Sequence, residues 1–268
     1  MNWVADTLGG RAFRRSPSGP ARCWAVGTLG PGSAGASTLA VAMATCLSGL
    51  VVEADVDGGV LGARYGEWMD ERAPSLDSLL TALHTFDGTA AVEGQLQQLP
   101  GGARVVWIAP DAESALGPVQ VLVEDLEDLR QSLAGETMVM DVGRVRPDSP
   151  SQGLTEQADA LVAVVRRDAE SLGCLMARLP VLLDRVPRLV VAVRGEGPYR
   201  LPDIRAALAM RAGVRIAVVG VPEDARGVEA LRRPGKAGLS SLVSGRTATL
   251  MHAADILVML LNGPAPED

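Results

Sequence analysis

The chain alternates between short, continuously apolar runs and longer stretches in which apolar residues recur at helical spacing. The first run, residues 23–26, leads into a glycine-rich loop and then into an alanine-rich stretch without helix breakers to about residue 47. A second run, 50–52, ends at three spaced acids: Glu53, Asp55 and Asp57. This order predicts strand, loop, helix and strand. It is typical of the opening of a nucleotide-binding α/β sheet.

The same alternation continues to the end of the chain. Apolar runs predict strands at 103–110, 137–141, 160–165, 189–193 and 215–219. Helical patterns predict helices at 75–98, 117–134, 168–185 and 202–212, one starting near Pro222, and a last one at 247–261; residues 144–153 are predicted to be loop. Continuously apolar strands that alternate with helices indicate an α/β fold, with a mostly parallel sheet covered by helices on both faces.

No internal repeat or long linker interrupts this pattern. We therefore expect one domain over residues 22–262, between an N-terminal arm or tail (1–21) and an acidic tail (263–268). Apolar positions in the last helix favour core packing over membrane binding. The pattern over residues 1–15 is basic and loosely amphipathic, which leaves a peripheral membrane contact as an alternative to a frayed tail or packed arm.

Net charge, cysteine positions and the length of the apolar runs disfavour several classes of protein. The net charge of −7 disfavours a general nucleic-acid binder. Cys23, Cys46 and Cys174 lie in apolar runs, and we interpret them as small buried residues in a reducing cytosol rather than as a disulfide or a metal site. No apolar stretch approaches the ~20 residues of a membrane span, and no signal peptide is recognisable. We expect a cytoplasmic protein, with contact at the inner face of the membrane as the alternative.

Residues 30–38 have the composition of a phosphate-binding loop that precedes a helix. Gly30, Gly32 and Gly35 allow a ligand to approach the backbone closely. The N–H groups of such a loop and of the first helical turn attract anions. The loop itself contains no lysine, and Lys236 is the only lysine of the chain. The pattern therefore predicts a phosphate site more strongly than efficient ATP chemistry.

A phosphate-loop enzyme also needs a hydroxyl for Mg²⁺ and an acid from another strand that orients metal or water. Ser37 and Thr38 directly follow the loop, and Asp55 and Asp141 each follow or end an apolar run. In an open parallel sheet, ligands bind beyond the carboxyl ends of the strands. We therefore expect these side chains to converge on one site.

Taken in order, these segments resemble the ParA/MinD family, which are SIMIBI-type phosphate-loop ATPases with a deviant Walker A motif. Within it, the chain looks most similar to the TadZ/CpaE-like branch associated with pilus assembly and polar positioning. The family loop, Lys-Gly-Gly-x-Gly-Lys-Ser/Thr-Thr, corresponds to residues 31–38, its acidic segment to 53–61 and its second acidic strand to 138–141. Residues 158–165 and 218–224 resemble later family landmarks. The resemblance covers nearly all of residues 22–262.

The resemblance implies a site for ATP or ADP with Mg²⁺. It places the nucleotide at these positions: Gly30, Gly32, Ser33, Gly35, Ala36, Ser37, Thr38 and Arg194. It places Mg²⁺ at Ser37, Asp55 and Asp141, of which Asp55 and Asp141 also hold the catalytic positions. Family members form face-to-face dimers across the nucleotide. A homodimer is therefore implied, with a protein partner from a secretion, pilus or cell-division system.

Three residues depart from the family pattern. Pro31 stands where the family has the lysine that reaches across the dimer, and Ala36 stands where it has the phosphate-binding lysine. Arg194 stands where an adenine-contacting asparagine is usual. Losing one preorganised donor costs a factor of about 10²–10³ in rate, and charge-finger contributions reach roughly 10³–10⁵. The departures therefore predict weak or no ATP hydrolysis.

The same departures bear on binding. At ~4 Å and an effective dielectric of about 20, each contact between like charges costs on the order of 4 kcal/mol before screening. Three acids near a loop without lysine would therefore repel a triphosphate, and we expect weak or absent ATP binding. The principal interpretation is a ParA/MinD-like pseudo-ATPase that acts as a positioning and interaction module in Tad-type pilus assembly, septum placement or cell-pole organisation.

Two alternatives stay open. In the first, the chain is a nucleotide-binding ParA/MinD-like ATPase in which arginine replaces the missing lysines; Arg144 and Arg146 are the nearest candidates in sequence. In the second, the glycine pattern and an acid about 20 residues later are the fingerprint of a Rossmann-type dinucleotide-binding oxidoreductase. Ser37 and Thr38 directly after the loop, and the lack of a plausible catalytic His, Lys or Tyr set, count against it.

Overall fold

The computed structural model describes residues 19–30, 32, 34–65, 74–85, 92–213, 216–232 and 249–264. Its strands, in chain order, are β1 (Arg22–Thr28), β2 (Leu50–Glu53), β3 (Gln97–Gln98), β4 (Arg104–Val106), β5 (Thr137–Arg144), β6 (Ala160–Arg166), β7 (Leu189–Arg194) and β8 (Ala217–Val221). Together they form one eight-stranded sheet in the order β3-β4-β2-β5-β1-β6-β7-β8. Every pair is parallel except β3 with β4.

Helices connect the strands and cover both faces of the sheet. They are α1 (Ala36–Leu47), α2 (Leu61–Arg64), α3 (Leu76–Thr85), α4 (Ala112–Ser132), α5 (Pro150–Gln157), α6 (Ala169–Arg185), α7 (Leu201–Ala212), α8 (Ala225–Arg232) and α9 (Leu250–Asn262). One face packs against α3 to α7 and the other against α1, α8 and α9. Alternate β1 residues belong to the two cores: Cys23 and Ala25 to one, Trp24 and Val26 to the other. The predicted α/β fold is confirmed.

The last helix belongs to the core, as predicted. Leu250, Leu257 and Leu261 on α9 are buried, and α9 packs against α1. The helices in the described part of the chain include none long and apolar enough to cross a bilayer. The basic pattern over residues 1–15 lies outside the described residues.

Three predicted boundaries are wrong. The helix predicted over 75–98 ends at Thr85, and Gln97–Gln98 is instead a strand antiparallel to β4. A tight turn causes this, because the amide of Leu99 donates to the carbonyl of Ala103 at 2.8 Å and folds the chain back. Part of the predicted loop 144–153 is helix α5, which Ser149 caps. The predicted strand 215–219 lies at Ala217–Val221.

Strand order contradicts the dinucleotide-binding alternative. In the Rossmann order, 3-2-1-4-5-6, the first two strands are neighbours. Here β5 lies between β1 and β2, pairing with both in parallel. The strands next to β1 are therefore β5 and β6, and β2, which carries the acid of the dinucleotide fingerprint at its end, is not adjacent to the loop strand.

Candidate functional site

The segment from Gly35 to Thr38, which follows the loop after β1 and opens α1, lies at the carboxyl edge of the sheet, and we call it the cradle. Gly35 precedes the first residue of α1 with φ of +85°, a left-handed conformation that favours glycine. Since glycine has no side chain to cap the helix, the first-turn N–H groups remain available to an anion. Ser37 and Thr38 lie in this first turn and are half-buried. The local geometry is that of an anion site.

Asp141 lies beside this cradle, on the strand next to β1. It is 1% exposed, and its Oδ1 accepts a hydrogen bond from the amide of Gly143 at 3.3 Å. Its Oδ2 has no partner among the residues that the structure describes. Burial raises the pKa of Asp141 to about 6, against the opposing effect of the nearby Ser37 hydroxyl. An unpaired buried carboxylate oxygen beside a hydroxyl is a position that a cation would stabilise.

Asp55 approaches Asp141 through a contact that only glycine permits. A Cβ placed on Gly143, whose φ is +58°, would lie 2.0 Å from Cγ of Asp55. The Asp55 side chain accepts a hydrogen bond from the amide of Asp57 at 2.9 Å. Burial raises the pKa of Asp55, and its charge in turn raises the pKa of Asp141. The structure therefore brings Ser37, Asp55 and Asp141 together.

The other two acids of the 53–57 segment have partners of their own. Glu53 is fully buried, and its carboxylate accepts hydrogen bonds from the amides of Val60 (2.6 Å), Leu61 (2.8 Å) and Ile108 (3.3 Å). Asp57 pairs with Arg146 at 2.9 Å. The repulsive field expected from three free acids is therefore smaller than predicted, because Asp55 and Asp141 are the acids that face the cradle.

The cations that the loop lacks come from elsewhere in the fold. A cavity of about 270 Å³ adjoins Gly35 and Thr38, and Arg64, Arg194 and Arg232 line it. Nη1 of Arg64 donates to Oγ1 of Thr38 at 3.0 Å. A Cβ on Gly35 would lie 3.1 Å from Nη1 of Arg194. The rest of the lining includes Tyr65, Asp224 and the apolar residues Leu39, Val164, Val221, Pro222, Val228 and Leu250. The Asp224 carboxylate accepts hydrogen bonds from the amides of Gly227 (2.8 Å) and Leu250 (3.2 Å).

The sequence pointed to other arginines. Arg146 pairs with Asp57, and Arg144 lies at the end of β5, opposite Thr28. Neither is among the described residues that line the cavity. Arg64 and Arg232 were missed because no local motif marks them; the folding of α2 and α8 brings them to the loop.

The remaining predicted site residues occupy different surroundings. Gly30 packs against α6, because Cα of Ser171 lies 3.5 Å from where a Cβ on Gly30 would be. Gly32 is exposed, and Ala36 is buried at the start of α1. Ser33, Pro31 and Lys236 lie outside the described residues.

The donor set at the cradle fits Mg²⁺. Ser37, Asp55 and Asp141 offer only oxygen atoms, which Mg²⁺ prefers, and Mg²⁺ usually retains several waters and substrate phosphates. Within the described ranges, no three His, Cys, Asp or Glu side chains come together as a metal-binding group. The residues therefore suit an ion completed by phosphate and water oxygens rather than an all-protein metal cage.

The fold matches that of solved ParA and MinD structures. A ParA family ATPase from Chlorobium tepidum TLS has a TM-score of 0.67 at 16% identity, over 91% of this chain and 99% of that one. The cell division ATPase MinD from Pyrococcus furiosus also has 0.67, at 15% identity over 89% and 99%. An ATP complex of a Cyanothece McdA variant has 0.63, at 16% identity over 94% and 100%. No family model and no curated protein matches the sequence.

Proposed function

We propose that this chain is a ParA/MinD-like protein that binds ATP or ADP with Mg²⁺ but hydrolyses ATP weakly or not at all. It would act as a positioning and interaction module, as in Tad-type pilus assembly, septum placement or cell-pole organisation. One observation carries the proposal. The cradle at Gly35 and Ser37 keeps Asp141 beside it, yet the loop position of the phosphate-binding lysine is the buried Ala36.

Three features support binding. The first turn of α1 leaves N–H groups free for phosphate. The cavity beside Gly35 combines apolar walls with polar and charged side chains, and this mixture suits a ligand that has both a flat base and a charged phosphate chain. Arginine side chains line the cavity and would neutralise part of the negative charge of a phosphate chain. This arrangement favours nucleotide binding over the weak or absent binding expected from the sequence.

The Mg²⁺ would be held by Ser37, Asp55 and Asp141. When bound, it would supply positive charge at the phosphate oxygens. Asp141 would contribute its unpaired Oδ2, and Ser37 its hydroxyl. Gly143 allows the Asp55 carboxylate to remain close to the end of β5.

Weak hydrolysis is supported by what is missing from the loop. In phosphate-loop enzymes, catalysis is almost entirely positioning and electrostatic stabilisation, and the lysine is part of both. Ala36 carries no charge, and the ParA/MinD resemblance implies that Pro31 stands where the cross-dimer lysine would be. A homodimer of this chain would then depend on contacts other than that lysine.

The test compares turnover and binding on the full chain. Phosphate release and calorimetry are measured with Mg-ATP and Mg-ADP, next to an intact ParA/MinD protein and with NADH as a negative control. We expect binding of both adenine nucleotides and turnover at least about 100-fold below the intact protein. Comparable turnover that is abolished by Asp55→Ala would overturn the weak-hydrolysis proposal. No heat with either nucleotide would overturn the binding proposal.

A further inference from the structure

Arg64 is the last residue of α2 and reaches back to the first turn of α1. Its Nη1 donates to the Thr38 hydroxyl at 3.0 Å. Thr38 belongs to the first turn of α1, so this bond holds the guanidinium near the helix N-terminus, which phosphate oxygens would approach. Arg64 also lines the same cavity as Gly35 and Thr38. The Arg64 guanidinium thus supplies a positive charge next to the loop, although residues 30–38 contain no basic residue.

The backbone that carries Arg64 is held from two sides. The Glu53 carboxylate accepts hydrogen bonds from the amides of Val60 and Leu61, at the start of α2. At the other end, Nε of Arg232 donates to the carbonyl of Arg64 at 3.2 Å. Both ends of this four-residue helix are therefore anchored, and the hydrogen bond to Thr38 orients the Arg64 side chain.

Arg194 is the last residue of β7 and lines the same cavity as Arg64. Its Nη1 lies 3.1 Å, and its Cζ 3.4 Å, from the position that a Cβ on Gly35 would occupy. The guanidinium therefore packs directly on the loop backbone. Arg64, for its part, lies within electrostatic range of the buried acid, because its positive charge lowers the pKa of Asp141.

We infer that Arg64 and Arg194 together form the phosphate-binding cation site of this cradle, in place of the lysine missing at position 36, and that their ligand is the phosphate chain of a nucleotide. The inference rests on the proposed nucleotide binding. In the described structure Nη1 of Arg64 donates to the uncharged hydroxyl of Thr38. A phosphate oxygen is the better acceptor, because it carries negative charge and a phosphate group can accept two parallel hydrogen bonds from one guanidinium.

Calorimetry on the full chain tests this with two probes: Mg-ADP, and pyrophosphate, which has no base. Arg64→Ala and Arg194→Ala are each expected to weaken the binding of both probes by about 10- to 100-fold, the usual loss for a charge-assisted bond. Arg64→Lys should keep the affinity within about tenfold. Arg211→Ala is the matched control, because Arg211 is an exposed arginine on α7; its affinity should stay within about twofold.

The outcomes separate the two proposals. Mg-ADP binding that is unchanged in both alanine variants overturns the inference and leaves nucleotide binding intact. Pyrophosphate binding without Mg-ADP binding overturns the proposed function, and the alanine variants still decide the inference through pyrophosphate. Binding of neither probe by the unmodified chain overturns both. Circular dichroism and urea unfolding check that each variant folds. If Arg64→Ala does not fold, Arg64→Gln, which keeps the stem but removes the charge, replaces it.

Discussion

Glu53 and Asp141 lie directly opposite each other in the neighbouring parallel strands β2 and β5, and both side chains are buried. Three backbone amides surround the carboxylate of Glu53. Burial nevertheless raises its pKa to about 7, and the charge of Asp141 adds to that increase. Two buried carboxyl groups with raised pKa values make the stability of this sheet depend on pH.

The pKa increase sets the sign of that dependence. An unfolded chain would release the proton of Glu53 near pH 4.5, whereas the folded chain keeps it to about pH 7. Between these values the folded state binds more protons, so the free energy of unfolding falls as pH rises. The Asp141 pKa of about 6 acts in the same direction. We expect a loss on the order of 4 kcal/mol from pH 5 to 7.5, measured by urea unfolding.

Glu53→Gln identifies the group responsible. Glutamine keeps a carbonyl oxygen that can accept from the amides at the start of α2 but has no proton to release. The variant should lose more than half of the pH dependence between pH 5 and 7.5. Glu124→Gln, an exposed change on α4, should leave it unaltered. A stability that is flat or rising over this range in the unmodified chain would contradict the assignment.

Gly143→Ala should be strongly destabilising. The added Cβ would lie 2.0 Å from Cγ of Asp55, at a φ of +58°. The matched control is Gly102→Ala, because Gly102 also has a positive φ, of +89°, but has open space around it. Backbone strain of about 1–2 kcal/mol is common to both variants. We expect Gly143→Ala to lose at least about 2 kcal/mol more in urea unfolding. Equal losses would show that Asp55 moves aside freely.

The sequence pattern correctly predicted most of the buried strands and the residues at their carboxyl ends, because these features depend on short stretches of sequence. The buried strands are continuously apolar because both faces of the sheet are covered, and Gly35, Ser37 and Asp141 belong to segments at strand ends where a parallel sheet collects its ligands. Strand β3 was missed because Gln97–Gln98 has no apolar pattern. The turn at 99–103, not side-chain burial, makes it a strand.

The position of Arg64 could not be predicted from short stretches of sequence. Arg64 lies 26 positions after Thr38, and its contact depends on buried Glu53 holding the start of α2. Nearness in sequence favoured Arg144 and Arg146 instead. Arg146 is occupied by Asp57, a pairing that only the tertiary structure reveals. Pair contacts of this kind are set by several elements at once, so no single segment encodes them.

Asp141→Asn should separate metal binding from folding. The amide retains an oxygen for the Gly143 N–H but removes the negative charge that Mg²⁺ would contact. We expect Mg-ADP affinity to fall at least about tenfold, while the free energy of unfolding at pH 8 changes by less than about 1 kcal/mol. Titrations with Mg²⁺ and with EDTA measure the effect. If the variant gains as much affinity from Mg²⁺ as the unmodified chain, Asp141 does not hold the ion.

A lysine returned to position 36 should compensate for the loss of Arg64. If the two side chains serve the same phosphate, Ala36→Lys will add little in the unmodified chain, less than about threefold in Mg-ADP affinity, because the site already has its cations. In the Arg64→Ala background the same change should recover most of the lost affinity. The four proteins of this cycle are compared by calorimetry, with urea unfolding to check that a lysine at buried Ala36 is accommodated. Strictly additive effects would mean that the two cations act on different partners, and that Arg64 does not stand in for the lysine.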